Sequence, residues 1–486
     1  MTDRQFDAVT FSAAAAAAFL VWGPWPLGVP GEWAWHRFDG ATVLSAVVLA
    51  AAAAAYLFAV DRTAGAGRWS GLMLTGLGFA FLTATLWAVE TSGTAAGATR
   101  EPWVLALPSV SGYLDEAARD GRGVGEWLAG YEAETRGGDV LHQGTHPPGL
   151  ILLWRGLLAA VEAVPPLQSV SRTLSGPSWR ESAEVMFETA VRLPEDGPSE
   201  AAFESAAWWG AKLTRLAVAA CAVPLVWLMR PAGPEAAHRL AGLWPLVPAA
   251  AVFLPKSDCL YALPGLLVAA GWCRALERRS PAAAAASGAA AGAALWLSLA
   301  PAPLYAGVAA GSLVWARGNR TAGEVGRLTA AGAGGVLATV AAGWLSGVNL
   351  PAVWAANLRN HAGFYDAYPR TYAAWLPVNG VEAVVAASLP VVAACVAWRR
   401  GGPRRSLVAC VAGGALVAWA GLWLSGKNMG EAARLWVLLT PWPLVWLSTR
   451  TPLSPRRWRS LGTAAGLALA AVASVVDGFS LGTAGN

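Results

Sequence analysis

Apolar runs of about twenty residues, separated by short arginine-bearing stretches, repeat along most of this chain. A helix rises 1.5 Å per residue, so about twenty residues cross a hydrocarbon layer roughly 30 Å thick. On that rule the pattern predicts about thirteen spans, at about 8–28, 41–60, 69–90, 208–229, 240–255, 258–276, 281–299, 301–316, 328–347, 379–398, 406–425, 432–449 and 460–480. The run at 147–164, PPGLILLWRGLLAAVEAV, is read otherwise. It opens on two prolines and carries Arg155 and Glu162, each costing about 2.5–3.5 kcal/mol at a bilayer centre. It is expected as a helix lying in the interface. Farther on, Trp179, Val185, Met186 and Ala190 recur at helical spacing among carboxylates, which predicts an amphipathic surface helix within 176–207.

Composition sharpens the class. Of 486 residues 56% are apolar and 13% charged, against about 25% charged in a soluble domain. Mean hydropathy is +0.45. The expected fold is an all-α polytopic membrane protein. The net charge of +5 does not point to nucleic acid, and the five cysteines show no metal-ligand or disulfide spacing. Orientation follows from arginine placement: Arg62/Arg68, Arg230/Arg239, Arg274/Arg278/Arg279, Arg317/Arg320/Arg327, Arg399/Arg400/Arg404/Arg405 and Arg450/Arg456/Arg457/Arg459 fall in alternate connections, as cytoplasmic loops do. The N-terminus is then cytoplasmic, the first span a retained signal anchor, and the long loops 91–207 and 348–378 lie on the extracytoplasmic face.

On that outer face the candidate chemistry gathers. The chain has three lysines, Lys212, Lys256 and Lys427, all at outer span ends, where they oppose the orientation rule. A lysine snorkelling to the interface is the plain alternative. Lys256 and Asp258 in FLPKSDCLY sit between two spans with almost no loop, either as a site or as a local ion pair. Lys427, Glu431 and Arg434 cluster in SGKNMGEAARLWVLL, where Glu431 and Arg434 share a helix face. His361, Tyr365, Arg370 and Tyr372 lie in NLRNHAGFYDAYPRTYAAWLPVN, a composition suited to holding sugar and phosphate. The first outer loop adds Tyr113, His142 and His146, with Asp115, Glu116, Asp120, Glu132 and Glu134 as carboxylates available for general-base work, most of them equally readable as a solvated helix surface. No HExxH, P-loop, GxSxG or GxGxxG motif accompanies them.

The order of a large acidic first loop, a proline pair opening an apolar helix, an Asp after a span and a late basic/acidic loop resembles the GT-C glycosyltransferases, such as the protein O-mannosyltransferases and lipid A aminoarabinose transferases. The resemblance covers about 70–440: His146-Pro147-Pro148-Gly149 is similar to the family's Pro-Pro element, and FLPKSDCLY to its second acidic motif, which singles out Asp258. Where the family carries its first Asp, this chain has Ser109, so the resemblance implies Asp115 or Glu116 as base. It implies a GT-C-like catalytic region at 69–440, two added N-terminal spans in 1–68, and a C-terminal basic loop and last span in 441–486. It also implies inverting transfer of a hexose or pentose from a polyprenyl-phosphate sugar, in a bacterial cytoplasmic membrane, to a glycan, lipid or protein acceptor. Lys256, Lys427, Arg434 and Arg370 would hold the donor phosphate, and Tyr113, His142, His146, His361, Tyr365, Tyr372 and Glu431 the substrates. No metal ligands are assigned, and a requirement for a divalent metal stays open. The competing class is a transporter or flippase for a lipid-linked or anionic solute.

Overall fold

The computed structural model describes residues 1–38, 43–93, 99–108, 110–138, 140, 144–319, 322–398, 406–450 and 453–478. His142, Ser109, Arg320 and the arginines at 399, 400, 404 and 405 lie outside the described residues.

The protein is an all-α membrane protein. Seven described helices are long and apolar enough to cross a bilayer: Asp3–Trp22, Val43–Arg62, Gly67–Thr91, Glu200–Ala232, Ser257–Arg278, Ala322–Leu345 and Leu407–Leu424. Two pairs bent by more than 90°, Gly149–Ala163 with Pro165–Leu174 and Tyr372–Ala386 with Leu389–Ala397, raise the number to nine if each is one span. This corrects the expected thirteen. The apolar runs at 240–255 and 432–449 are not continuous helices. Pro245 and Pro248 break the first into the pieces Pro234–Ala241, Trp244–Leu246 and Pro248–Val252. The second is divided into Ala432–Leu435, Val437–Leu439 and Trp442–Ser448 around Pro441 and Pro443, because proline removes a backbone donor and clashes with the preceding turn. Pro281–Leu297 is one helix of 17 residues, about 26 Å and short of the roughly 30 Å core. Ala302–Asn319 and Pro455–Ala473 are longer but less apolar, the latter beginning with Arg456, Arg457 and Arg459.

The apolar helix faces turn outward. Val43, Leu44, Val47 and Phe58 on one helix, Leu337 and Leu345 on another, and Val417 on a third are exposed large hydrophobic side chains. In a membrane protein these face lipid, while every backbone polar group is satisfied within the helix. Between helices, small residues set the approach. Gly288, Gly292 and Gly335 bring Pro281–Leu297 against Ala322–Leu345, and a Cβ on Gly335 would run into the Ala285 carbonyl and approach the Ala289 nitrogen to 2.6 Å. Gly307, Gly311 and Gly414 do the same between Ala302–Asn319 and Leu407–Leu424.

The bundle has two chemically distinct ends. At one, Arg457 pairs with Asp3, Arg456 with Asp7, and Arg239 and Arg459 with Asp61. From there the 20-residue Asp3–Trp22 helix rises about 30 Å to a hairpin of Leu27–Val29 and Trp33–Arg37 at the opposite end, whose second strand pairs antiparallel with Val476–Asp477. This small sheet had no counterpart in the apolar pattern. Arg37 ties it down by donating to the carbonyls of Val21, Gly23 and Trp25 at 2.7–3.0 Å.

The expected surface helix is Pro177–Thr189, but its buried face is Trp179, Ser182, Ala183 and Met186, while Val185 and Ala190 are exposed. The Gly149–Ala163 helix packs against Glu200–Ala220, with Trp154 seated on Gly210. Arg155 leaves the apolar face to donate to the Asp120 carbonyl at 2.7 Å and lies over the Trp127 ring.

The close glycine contacts generate a direct test. Gly335→Leu is expected to destabilise the protein by about 3 kcal/mol or more through overpacking. Gly334→Leu, one residue along the same helix with open space around its Cα, is expected to be neutral or mildly stabilising. Thermal unfolding in detergent reads the difference, and equal midpoints would contradict the packing.

Candidate functional site

Two breaks in the bundle meet at the hairpin end, and ionisable groups line their junction. The first break follows Pro248–Val252. The chain turns through Pro255 into a tight 3-10 turn, Ser257–Tyr261, before the Ala262–Arg278 helix begins. This presents Asp258 in the first turn and Lys256 just ahead of it. The second break follows Leu407–Leu424. Gly426, Asn428, Gly430 and Glu431 all have positive φ, between 57° and 79°, so the backbone reverses sharply before Ala432–Leu435. For Glu431, a side chain without the usual tolerance of that region, the conformation costs on the order of 1–3 kcal/mol and must be held by its surroundings.

The Tyr372–Ala386 helix does the holding. Asn379 uses both ends of its amide, donating to the Asn428 carbonyl at 3.2 Å and accepting from the Gly430 N–H at 3.3 Å. One turn on, Glu382 Oε2 accepts from the Ala433 N–H at 3.3 Å. The Tyr365 hydroxyl accepts from the Met429 N–H at 2.8 Å, and Trp436 Nε1 donates to Asn428 Oδ1 at 3.1 Å. With the loop so fixed, Arg434 stands between two carboxylates. Its Nη2 donates to Glu431 Oε2 at 2.8 Å, and its Nε lies 3.6 Å from Asp258 Oδ2.

Lys256 joins this group and is buried. Burial, reinforced by Arg434, depresses its ammonium from an ordinary 10.5 to about 8, against the pull of Glu431 and Asp258. Arg370 faces the same loop: Glu431 and Tyr365 act on its charge, and its Nε would lie 3.5 Å from a Cβ on Gly430. Its Nη1 donates to the Glu32 carbonyl at 2.9 Å, while the Glu32 carboxylate accepts from the Thr371 N–H and from Trp375 Nε1, at 2.9 and 2.7 Å. Those bonds hold the Glu32 carboxyl below its usual range. The Nε atoms of Arg370 and Arg434 are both buried without a hydrogen-bond partner among the described residues.

Tyr113, on the short Tyr113–Arg119 helix, closes the cluster from the long loop. Its hydroxyl is pushed well up by burial, then by Tyr261 and Asp258. His146 meets its ring edge-on at 5.3 Å. The loop bearing His146 is pinned by Asn357, which donates to the Gly144 and His146 carbonyls at 2.8 and 3.2 Å, and by Asn360, which donates to the Thr135 and Gly144 carbonyls at 2.7 and 2.8 Å.

Of the residues expected from sequence, Tyr113, Lys256, Asp258, Glu431 and Arg434 come together, with Arg370, Tyr365 and His146 beside them. Lys427 is exposed on the same loop and acts on His361, whose imidazole burial and then this lysine push down. Tyr372 lies against Gly426, its hydroxyl donating to the Leu424 carbonyl at 2.8 Å. Asp115 is buried and pairs with Arg119 one turn along its own helix at 2.9 Å, and Glu116 is half-buried next to it. Lys212 has a different setting. With Arg215 it pairs with the buried Glu101, and it lies over the Trp179 and Trp208 rings.

Beside the cluster an apolar cavity of about 250 Å³ opens between the hairpin and the Tyr372–Ala386 helix. Trp35, Phe253, Val381 and Ala433 line it, and Glu382 is its carboxylate. Among the described residues no three His, Cys, Asp or Glu side chains group as metal ligands. Asn357, Asn360, Asn379, Glu382 and Glu32 were not singled out from sequence, although Asn379 and Glu382 stand three apart within an apolar run, which is a readable signal. Comparison with known proteins returned no matching family model, no matching curated protein and no matching solved structure.

The depressed Lys256 ammonium gives a pH signature. Below about pH 8 it is a cation and above it is neutral. Affinity of the cluster for a phosphodiester probe, which does not titrate in this range, is therefore expected to fall by about tenfold as pH rises from about 7 to 9.5. Lys256→Arg should flatten the profile. Titration calorimetry across that range reads it, and a wild-type profile that stays flat to pH 9.5 would contradict the assignment.

Proposed function

We propose that the protein is a GT-C-like membrane glycosyltransferase that moves a sugar from a polyprenyl-phosphate donor to an acceptor at the hairpin end of the bundle. One observation carries this reading. Three cations, Lys256, Arg370 and Arg434, converge with two carboxylates, Asp258 and Glu431, although they come from three separate segments. The convergence of three cations suits a phosphodiester, whose oxygens would supply an acceptor to the buried Nε–H of Arg370, which has none among the described residues, and to that of Arg434, which faces only Asp258 at 3.6 Å. The adjoining apolar cavity suits part of a prenyl chain.

In this reading Asp258, placed against Arg434, is the carboxylate that activates the acceptor hydroxyl, and the cations stabilise the departing prenyl phosphate as negative charge develops on it. Asp115 or Glu116 is the alternative base from the long loop, and Lys427, His361 and Tyr372 form the outer rim. The arginine-rich end faces the cytoplasm, so transfer takes place on the extracytoplasmic face of a bacterial inner membrane.

A second reading, transport of a lipid-linked or anionic solute, is favoured by one feature: the cluster sits where two helical runs are broken, as transporter sites do. Proteoliposomes charged with labelled polyprenyl-phosphate sugar and a membrane extract as acceptor separate the two. The transferase releases free prenyl phosphate and labels the acceptor, and Asp258→Asn lowers that rate by about 10²–10⁴. Asp196→Asn, in the exposed acidic turn ahead of the Glu200–Ala220 helix, leaves it unchanged. Movement of the donor across the membrane with its sugar still attached, and no labelled product, would sink the transferase reading and favour the transporter.

A further inference from the structure

At the arginine-rich end several guanidinium groups are matched by carboxylates, but Arg450 has no carboxylate partner among the described residues. It follows the Trp442–Ser448 helix, is only 5% exposed, and lies over the Trp446 indole with its carbon 4.4 Å from the ring centroid. Its Nε and Nη1 are buried and donate to no acceptor among the described residues. A buried charged donor without a partner is costly, and an oxyanion is the chemistry that would offset that cost at this guanidinium.

Arg450 borders a second cavity, of about 520 Å³, whose other walls are apolar: Val392, Val396, Leu416, Pro443 and Trp446. The Cys395 thiol beside it donates to the Pro443 carbonyl at 3.1 Å, and among the described residues no carboxylate lines the cavity. Val396 is 62% exposed, so the cavity opens onto the apolar flank of the bundle. The polar end lies with the end that carries Arg457 and Trp398, the last residue after the Leu389–Ala397 helix.

We infer that this cavity binds an anionic phospholipid of the leaflet at the arginine-rich end, its phosphodiester taking the Arg450 N–H groups and one acyl chain lying along Val392, Val396 and Leu416. A free phosphate has no use for the apolar wall, and the described lining, which holds no carboxylate, leaves a zwitterionic headgroup's ammonium unmatched. The site is separate from the cluster around Arg434 and does not depend on the reading given to that cluster.

The test is native mass spectrometry of the purified full-length protein in detergent with equal phosphatidylglycerol and phosphatidylcholine. Wild type should retain one tightly held phosphatidylglycerol in preference to phosphatidylcholine. Arg450→Gln should weaken that binding by about tenfold, with an unchanged thermal midpoint. Val396→Trp, which fills the cavity from an exposed position and leaves the guanidinium in place, should abolish it. Equal retention by wild type and a folded Arg450→Gln would overturn the proposal, as would displacement of the lipid by millimolar inorganic phosphate. If Arg450→Gln does not fold, Val396→Trp decides alone, and normal phosphatidylglycerol retention by it would overturn the site.

Discussion

An arginine held between two carboxylates joins the two places where the helical bundle is interrupted. Arg434 meets Glu431 on its own loop and Asp258 across the junction. A broken helix exposes N–H and C=O groups that water cannot reach in an apolar interior, and each must find a partner in protein. Here the partners are side chains of neighbouring helices: Asn379 and Glu382 take the loop N–H groups, and Tyr365 takes another. The ionic cluster and the hydrogen-bonded loop therefore support one another. Removing either would leave buried polar groups unpaired, at about 1–3 kcal/mol for each neutral group and more for a charged one.

A second buried network shows what a purely structural use of the same residue types looks like. Glu101 accepts from Lys212 at 3.0 Å and from Arg215, and aromatic rings cover the lysine. Burial pushes the Glu101 carboxyl up, but Arg215 and Lys212 together outweigh it and hold it below its usual range. Two cations thus enclose one carboxylate, fastening the Glu101–Ala106 segment to the Glu200–Ala220 helix. Around Arg434 three cations from separate segments share Asp258, Glu431 and Glu32, and the group borders an apolar cavity. The convergence of separate segments beside a cavity separates a site able to receive a ligand from a fastening.

Much of this was legible in the chain because composition reports burial in lipid well. Continuous apolar runs such as Val43–Arg62 and Leu407–Leu424 became continuous helices, and Lys256, Asp258, Glu431 and Arg434 stood out as charges in a chain that keeps charge out of its spans. The breaks at 240–255 and 432–449 were not legible as such, since a broken apolar segment has the same composition as a straight one and only its prolines differ. The hairpin was hidden for a related reason. Its strands are three and five residues long, too short for alternation to register, and it depends on Arg37 and Glu32 meeting distant backbone. Lys212 shows the converse failure: its position resembled those of Lys256 and Lys427, and only tertiary pairing with Glu101 set it apart.

The convergence of Lys256, Arg370 and Arg434 on one phosphate is examined most directly by an experimental structure of the protein saturated with a polyprenyl-phosphate sugar. Phosphate oxygens should lie within roughly 3 Å of at least two of those three side chains, with the sugar toward Asp258 and Tyr113 and the prenyl chain entering the cavity beside Trp35 and Val381. A donor bound elsewhere, with the Arg434 ion pairs to Asp258 and Glu431 unaltered and no phosphate beside them, would contradict it.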